Sequence, residues 1–349
     1  MAGATIALVA AKAGVATSTV SRALSNPDRV SADTRRLVED VARELGYVAA
    51  RRTRTRAVAV LVADIGNPFY FDVIRGTQRQ LRAADYTQVL VDTEESPELE
   101  ADLIERMRPS IDGVILAASR LSDRAIATLA RTMPLVVLNR HVAGVPTVVM
   151  DTGAGMAQAL EHLVSLGHRD IVYLEGPERS WANAARWRAL TDAAALHGIE
   201  PRKLGPFVPG RESGTVAADA LVNSGATAAI AFNDLLAIGM LARLAERGIR
   251  VPEDVSIVGC DDIFGADFCS PALTTISTPI ERAGRVAVTM LLEALESRAG
   301  SGRDGVLLPT HLTVRGSTGA ASSGRASTGR ASSGRASTGR PPTTEGARG

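Results

Sequence analysis

The chain has 349 residues, of which 45% are apolar and 22% charged. That length exceeds what one hydrophobic core usually serves, so two or three globular units are expected. The apolar fraction excludes a wholly disordered chain, and two cysteines, Cys260 and Cys269, without metal-ligand spacing, exclude a disulfide scaffold. No run of about 18 uninterrupted apolar residues occurs, so no membrane-spanning helix is expected. The start, MAGATIALVAAKAG, lacks a basic segment before its apolar run, and Lys12 and Gly14 interrupt it. It does not read as a signal peptide, and a cytoplasmic location is expected.

The net charge of +1 conceals an asymmetry. Residues 1–56 hold ten Lys/Arg against five acids, and residues 317–349 hold five Arg against one Glu. A basic head on an acidic body points to a polyanionic partner at one end.

Residues 5–45 read as three short helices. Ile6, Val9, Ala10 and Ala13 have helical spacing and Gly14 stops the first. The second spans 17–24 with Val20 and Leu24 inward. Ser31 caps the third, whose apolar stripe is Leu37, Val38, Val41 and Leu45. An Arg-rich linker fills 48–56. Apolar runs then alternate with amphipathic stretches. Strands are expected at 58–62, 88–91, 113–116, 135–138, 148–150, 171–174, 229–232 and 255–258, with helices between them. Such alternation implies α/β architecture with parallel sheets covered on both faces. Two doubly wound lobes are expected in 57–316, with a cleft between them. Lobe one takes about 57–150 and 280–305, and lobe two about 151–279 and 306–316. From Ser317 onward Ala-Ser-Ser-Gly-Arg and Ala-Ser-Thr-Gly-Arg alternate, and a disordered tail over 317–349 is expected.

The head carries a resemblance. Thr5-Ile6-x-x-Val9-Ala10-x-x-Ala13-Gly14-Val15-x-x-x-Thr19-Val20-Ser21-Arg22-x-Leu24 resembles the helix-turn-helix of lactose-repressor family regulators. Val30-Ser31-x-x-Thr34-Arg35 and Glu44-Leu45-Gly46-Tyr47 continue it. A helix fits the major groove, and Arg reads guanine with two hydrogen bonds. The resemblance implies base reading by Thr17, Ser18 and Arg22. It implies phosphate contacts by Thr5, Thr19, Ser21, Ser31 and Thr34, which position rather than specify. Two departures stand out. Ala16 lacks the family's capping hydroxyl, and the nine-residue linker has no leucine to wedge into a minor groove. Arg51, Arg52, Arg54 and Arg56 are expected to contact phosphates or a narrow minor groove instead.

The middle of the chain resembles the same family's core and, more distantly, periplasmic ribose-binding proteins. The clearest stretches are Asp64-Ile65-Gly66-Asn67-Pro68-Phe69-Tyr70, Phe232-Asn233-Asp234, Val251-Pro252-Glu253-Asp254-Val255-Ser256 and Pro271-x-Leu273-Thr274-Thr275-Ile276. Ligands bind at the carboxyl ends of strands in open α/β sheets. Asn67, Phe69, Tyr70, Asn139, Arg140, Asn233 and Asp261 follow strands, and Arg186 sits on a helix after one. The resemblance implies that Arg140, Arg186, Asn233 and Asp261 grip hydroxyls of a sugar or polyol, with Phe69 and Tyr70 sandwiching its ring. Asn67 and Asn139 are secondary polar contacts, and Asn139 stands where the family usually has Asp. Trp181 is either a cleft wall or a core residue. A purine or nucleoside, or no effector, is the alternative.

Enzyme readings fare poorly. Gly153-x-Gly155 is half a dinucleotide-binding turn, with Gln158 at its third position. Five scattered histidines have no paired metal spacing, and no Gly-x-Ser-x-Gly is present. No cofactor is expected. The expected protein is a repressor, not an enzyme: a homodimer on a near-palindromic double-stranded operator, answering to a small sugar or polyol.

Overall fold

A computed structural model describes residues 5–25, 30–45, 47, 54–296 and 305–322. The head holds three helices, α1 (Ile6–Ala13), α2 (Thr17–Ser25) and α3 (Ala32–Glu44). Their shared core is Val9, Ala10, Ala13, Val20, Ala23, Val38, Val41 and Ala42. Gly14 ends α1 in the left-handed region (φ 66°), and its N–H donates to the Ala10 carbonyl. Leu37, placed in the apolar stripe above, is 47% exposed.

From Ala57 the chain builds two six-stranded sheets. The first is ordered β11-β5-β4-β3-β1-β2. Its strands are β1 (Ala57–Val62), β2 (Thr87–Asp92), β3 (Gly113–Ala117), β4 (Leu135–Leu138), β5 (Thr147–Met150) and β11 (Val306–Leu308), all parallel. Helices α4 (Phe69–Ala83) and α11 (Ile280–Glu296) cover one face, and α5 (Pro97–Met107) and α6 (Asp123–Ala130) the other. Burial on both faces explains why the strands read as unbroken apolar runs. Val58, Val60 and Val62 point to the first face, Ala59 and Leu61 to the second.

The second sheet is ordered β12-β10-β9-β8-β6-β7. It comprises β6 (Ile171–Leu174), β7 (Arg202–Leu204), β8 (Ala228–Ala231), β9 (Ser256–Asp261), β10 (Thr274–Ser277) and β12 (His311–Thr313), and only β12 is antiparallel. Its faces are covered by α7 (Thr152–Ser165) and α8 (Trp181–Ala195), and by α9 (Ser213–Ser224) and α10 (Asp234–Glu246).

The chain crosses between the lobes three times, after β5, after β10 and after β11. This corrects the lobe boundary expected at 306, because Val306–Leu308 pairs with β5 in lobe one and only β12 joins lobe two. The expected disordered tail needs a second correction at its start. Ser317 is fully buried; its hydroxyl donates to the Ile257 carbonyl (2.6 Å) and accepts from the Thr274 N–H (2.8 Å). Buried His168 donates from Nε2 to the Gly319 carbonyl (3.1 Å), and the Ala321 N–H donates to the Leu166 carbonyl (2.8 Å). Residues 317–321 thus strap lobe two; 323–349 lie outside the described residues.

Helices α4 and α11 approach closely where they cross. A Cβ on Gly76 would lie 2.2 Å from the Glu281 carbonyl oxygen, a backbone atom that yields only if α11 moves. Gly76→Ala is expected to destabilise the fold by about 1–3 kcal/mol, the usual cost of overpacking, measured as a lower urea midpoint at unchanged slope.

Candidate functional site

Two sites emerge, one on the head and one between the lobes. On the head, the start of α2 presents Thr17, Ser18, Ser21 and Arg22, all exposed, while Thr19 is half-buried. The inward residues Val20 and Ala23 fix which way that face points. Thr5 and Ser31 have structural duties: each is an N-cap whose hydroxyl accepts a backbone N–H, from Leu8 and Thr34 respectively (3.3 Å each). The Thr34 and Ser31 hydroxyls also pair at 2.8 Å. At the α2 start, Ala16 offers only its carbonyl, to the N–H groups of Thr19 and Val20. Ala16→Ser is expected to add about 1 kcal/mol by capping α2. Thermal unfolding of the isolated head, followed by circular dichroism, checks this.

The linker behaves differently from the expectation. Arg54 donates from Nη2 to the Leu295 carbonyl (2.7 Å) and from Nη1 to the Tyr86 hydroxyl (3.3 Å). Arg56 lies over the Tyr86 ring, 5.7 Å from its centre. Both arginines are therefore docked on lobe one rather than held out for DNA. Arg51 and Arg52 lie outside the described residues.

Between the lobes lies a narrow cleft lined by residues of both. Nearly every element contributes through the carboxyl end of a strand or the helix that follows. From lobe one come Asn67, Phe69 and Tyr70 after β1, Glu95 after β2, Ala118 and Arg120 after β3, and Asn139 after β4. From lobe two come Ser180, Ala182 and Arg186, then Pro209, Phe232 and Asn233, and finally Asp261. Several of these turns are conformationally strained. Ala118 (φ 57°), Asn139 (φ 59°) and Asp261 (φ 119°) sit in the left-handed half of the backbone map.

Each lobe brings one ion pair, fully buried in lobe two and partly buried in lobe one. In lobe two Arg186 donates from Nη2 to Asp261 Oδ1 (2.9 Å), with side-chain exposures of 3% and 6%. Its Nη1 donates to the Phe232 carbonyl, and its guanidinium lies 4.9 Å from the Phe232 ring centre. Its Nε is buried without a hydrogen-bond partner. Burial pushes the Asp261 carboxyl up, outweighing the attraction of Arg186. In lobe one Arg120 donates to both Glu95 oxygens, at 2.9 Å from Nη2, and from Nη1 to the Ala118 carbonyl (2.9 Å). The four charges sum to zero. Tyr70 is 4% exposed, and burial raises its hydroxyl above the ordinary range, so it stays protonated.

The amides act partly as scaffolding. Asn67 Oδ1 accepts from the Phe69 N–H (3.0 Å). Asn233 caps α10 by accepting from the Leu236 N–H (3.1 Å) and donates to the Pro209 carbonyl (3.0 Å).

Of the nine residues expected in the cleft, seven line it together: Asn67, Phe69, Tyr70, Asn139, Arg186, Asn233 and Asp261. Arg140 does not. The left-handed turn at Asn139 precedes it, and its guanidinium is spent on the Ser119 and Leu121 carbonyls (2.8 and 2.6 Å) and on Asp123 (2.6 Å). Trp181 opens α8 but is not part of the lining. The sandwich expected of Phe69 and Tyr70 also fails, since their rings meet at 89° with centres 5.0 Å apart and form one wall. Arg120 and Glu95 were not anticipated. The same strand-end rule finds both, had it been applied to β2 and β3.

No helix among the described residues is long and apolar enough to cross a membrane.

Comparison with known proteins agrees with this plan. Residues 5–49 match the model described as bacterial regulatory proteins, lacI family. Residues 160–318 match the periplasmic binding protein-like domain. The chain is 35% identical over 334 residues to the HTH-type transcriptional repressor CytR of Escherichia coli K12, covering 91% of this chain and 97% of that protein. It is 31% identical over 333 residues to the regulator DegA of Bacillus subtilis 168, covering 90% and 98%. Among solved structures it resembles the transcriptional regulator CelR–cellobiose complex (30% identity, 90% and 99% covered, TM-score 0.68). It also resembles the lac repressor dimer bound to operator and an anti-inducer (26% identity, 91% and 100% covered, TM-score 0.68). The chain belongs to the lacI family of bacterial regulatory proteins and is a DNA-binding transcriptional repressor with a periplasmic-binding-protein-like core.

Proposed function

We propose that this repressor is a homodimer whose operator affinity is set by a neutral sugar or polyol held between its lobes. The observation that carries the reading is the charge balance of the cleft. Its two arginines are each matched by a carboxylate, so the lining has no net attraction for an anion or a cation. What it offers is a mixture of fork donors, carboxylate acceptors and amides beside the rings of Phe69, Tyr70 and Phe232. Hydroxyls donate and accept at once, and the C–H face of a sugar packs on aromatic carbon. The perpendicular setting of Phe69 and Tyr70 leaves no parallel slot for a flat purine between them. Related structures fit the reading: one holds cellobiose, another of 31% identity holds ribose, and the lac repressor neighbour is a dimer on operator.

The head supplies DNA recognition. Arg22, Thr17 and Ser18 meet base edges, and Thr5, Thr19, Ser21, Ser31 and Thr34 set the register on phosphates. Ligand binding across the lobes changes their relative orientation and hence the spacing of the two heads.

A thermal-shift panel of pentoses, hexoses, polyols, purines and nucleosides tests the ligand class. A ligand at 100 times its Kd adds about 2.7 kcal/mol to the fold that binds it. A shift with a sugar or polyol is the expected result. A shift with purines or nucleosides alone contradicts it.

A further inference from the structure

Three of the nine linker residues, Arg54, Thr55 and Arg56, are fixed to lobe one. Asp112, just before β3, takes three hydrogen bonds from them. Its Oδ1 accepts from the Thr55 N–H (2.8 Å) and the Thr55 hydroxyl (3.0 Å), and its Oδ2 from the Arg56 N–H (2.9 Å). The Arg56 carbonyl accepts from the Thr87 N–H (2.7 Å). Arg56 also holds a left-handed backbone (φ 51°), which a residue with a side chain keeps only where its surroundings impose it. Arg54 closes the clamp from the other side. The Leu295 carbonyl that it holds lies in the last turn of α11, where no further turn of helix supplies a donor. All three residues are exposed, so these hydrogen bonds compete with water and add little to stability. What they fix is the point at which the tether to the head begins.

We infer that Asp112 and Arg54 set the half-site spacing that the repressor accepts, by shortening the tether of each head. This rests on the homodimer reading above. Tyr47 packs on the head core, and seven chain steps separate it from Arg54. Fully extended, they span at most about 25 Å. With the clamp open the tether runs on to Ala57, and its limit becomes about 35 Å. The gain is about 10 Å for each head and about 20 Å for two. Along the duplex that is about six base pairs, since one turn of about 10 base pairs rises about 34 Å. Release therefore adds enough chain to follow half-sites moved by half a helical turn. The clamp also keeps the Arg54 charge on lobe one and away from phosphate.

The test needs no effector. Operators selected by the full chain from a random-sequence DNA pool are rebuilt with their half-sites moved apart by one to six base pairs, and binding is followed by fluorescence anisotropy. The parent chain is expected to lose tenfold or more in affinity at a five-base-pair shift. Asp112→Ala combined with Arg54→Ala is expected to lose less than threefold there. At the selected spacing it should bind about twofold more weakly, because a longer tether lowers the effective concentration of the second head. Inserting Gly-Ser-Gly after Ala50 lengthens the tether with the clamp intact and should reproduce both effects. Arg54→Ala alone should leave the salt slope of binding unchanged. A slope shallower by about one for each head would place Arg54 on a phosphate and overturn the clamp. The inference is equally overturned if the double variant loses affinity across the series as steeply as the parent, or if the insertion leaves the spacing preference unchanged. A selected site with only one half-site overturns the homodimer reading along with it.

Discussion

Arg186→Ala is expected to lower stability by about 3–5 kcal/mol, the cost of leaving a buried charge without its partner. The residue touches everything at the centre of lobe two. It neutralises Asp261 at 2.9 Å, satisfies the Phe232 carbonyl and covers the Phe232 ring. Alanine strands the carboxylate and the carbonyl and opens a cavity beside the ring. On a total stability of 5–15 kcal/mol for a typical domain, that loss is a large fraction. Urea denaturation is the measurement, with the midpoint falling and the slope retained. A second variant isolates the cause. Arg186→Met combined with Asp261→Asn removes both charges and restores volume, so it should recover most of the loss. A double variant as unstable as Arg186→Ala would show that the stranded carboxylate does not set the cost. Both variants are expected to lose the response to ligand, because both remove the fork that faces the cleft.

The second large effect lies one layer behind the cleft, at Asp234. This residue is fully buried at the start of α10. Its Oδ1 accepts from the Thr275 hydroxyl (2.6 Å) and its Oδ2 from the Ile263 N–H (2.9 Å). Burial first, and then the charge of Asp261, push its carboxyl from 3.8 up to about 7. A folded-state value above the unfolded one means that the folded chain holds a proton which the unfolded chain releases. The contribution is complete below about pH 3.8 and falls away as pH rises towards about 7. The slope is on the order of 1.4 kcal/mol per pH unit across that window. Asp234→Asn removes the titrating proton while keeping an oxygen for Ile263 and an amide for Thr275. Relative to the parent chain it should gain stability steadily between pH 4 and pH 7 and change little beyond. A difference that stays flat with pH would show that Asp234 titrates at an ordinary carboxyl value.

The helix-turn-helix was readable because its signals are local: Gly14 as a left-handed stop, Ser31 as a cap, and alanines where helices touch. The sheets were readable for a related reason, since strands buried on both faces leave continuous apolar runs such as 58–62. Short strands without such a run were not. Arg202–Leu204 is mostly exposed, and Thr274 and Thr275 are buried polar residues that take their partners from distant segments. Composition likewise misread Ser317. A small hydroxyl that closes two backbone hydrogen bonds looks no different in sequence from one in solvent. In the cleft, position after a strand or on the helix that follows found half of the lining but could not separate Asn139 from Arg140. One left-handed residue turns the first towards the cleft and the second towards Asp123.

The account as a whole turns on coupling between the cleft and the heads. Its most direct test is operator affinity measured with and without the cleft ligand. The operator is first selected by the full chain from a random-sequence DNA pool. The expected selection is a near-palindrome with half-sites about one helical turn apart or a multiple of that. Saturating ligand should then change the operator Kd about 5–150-fold, and saturating operator should change the ligand Kd by the same factor. An operator Kd that is identical with and without saturating ligand would contradict the account.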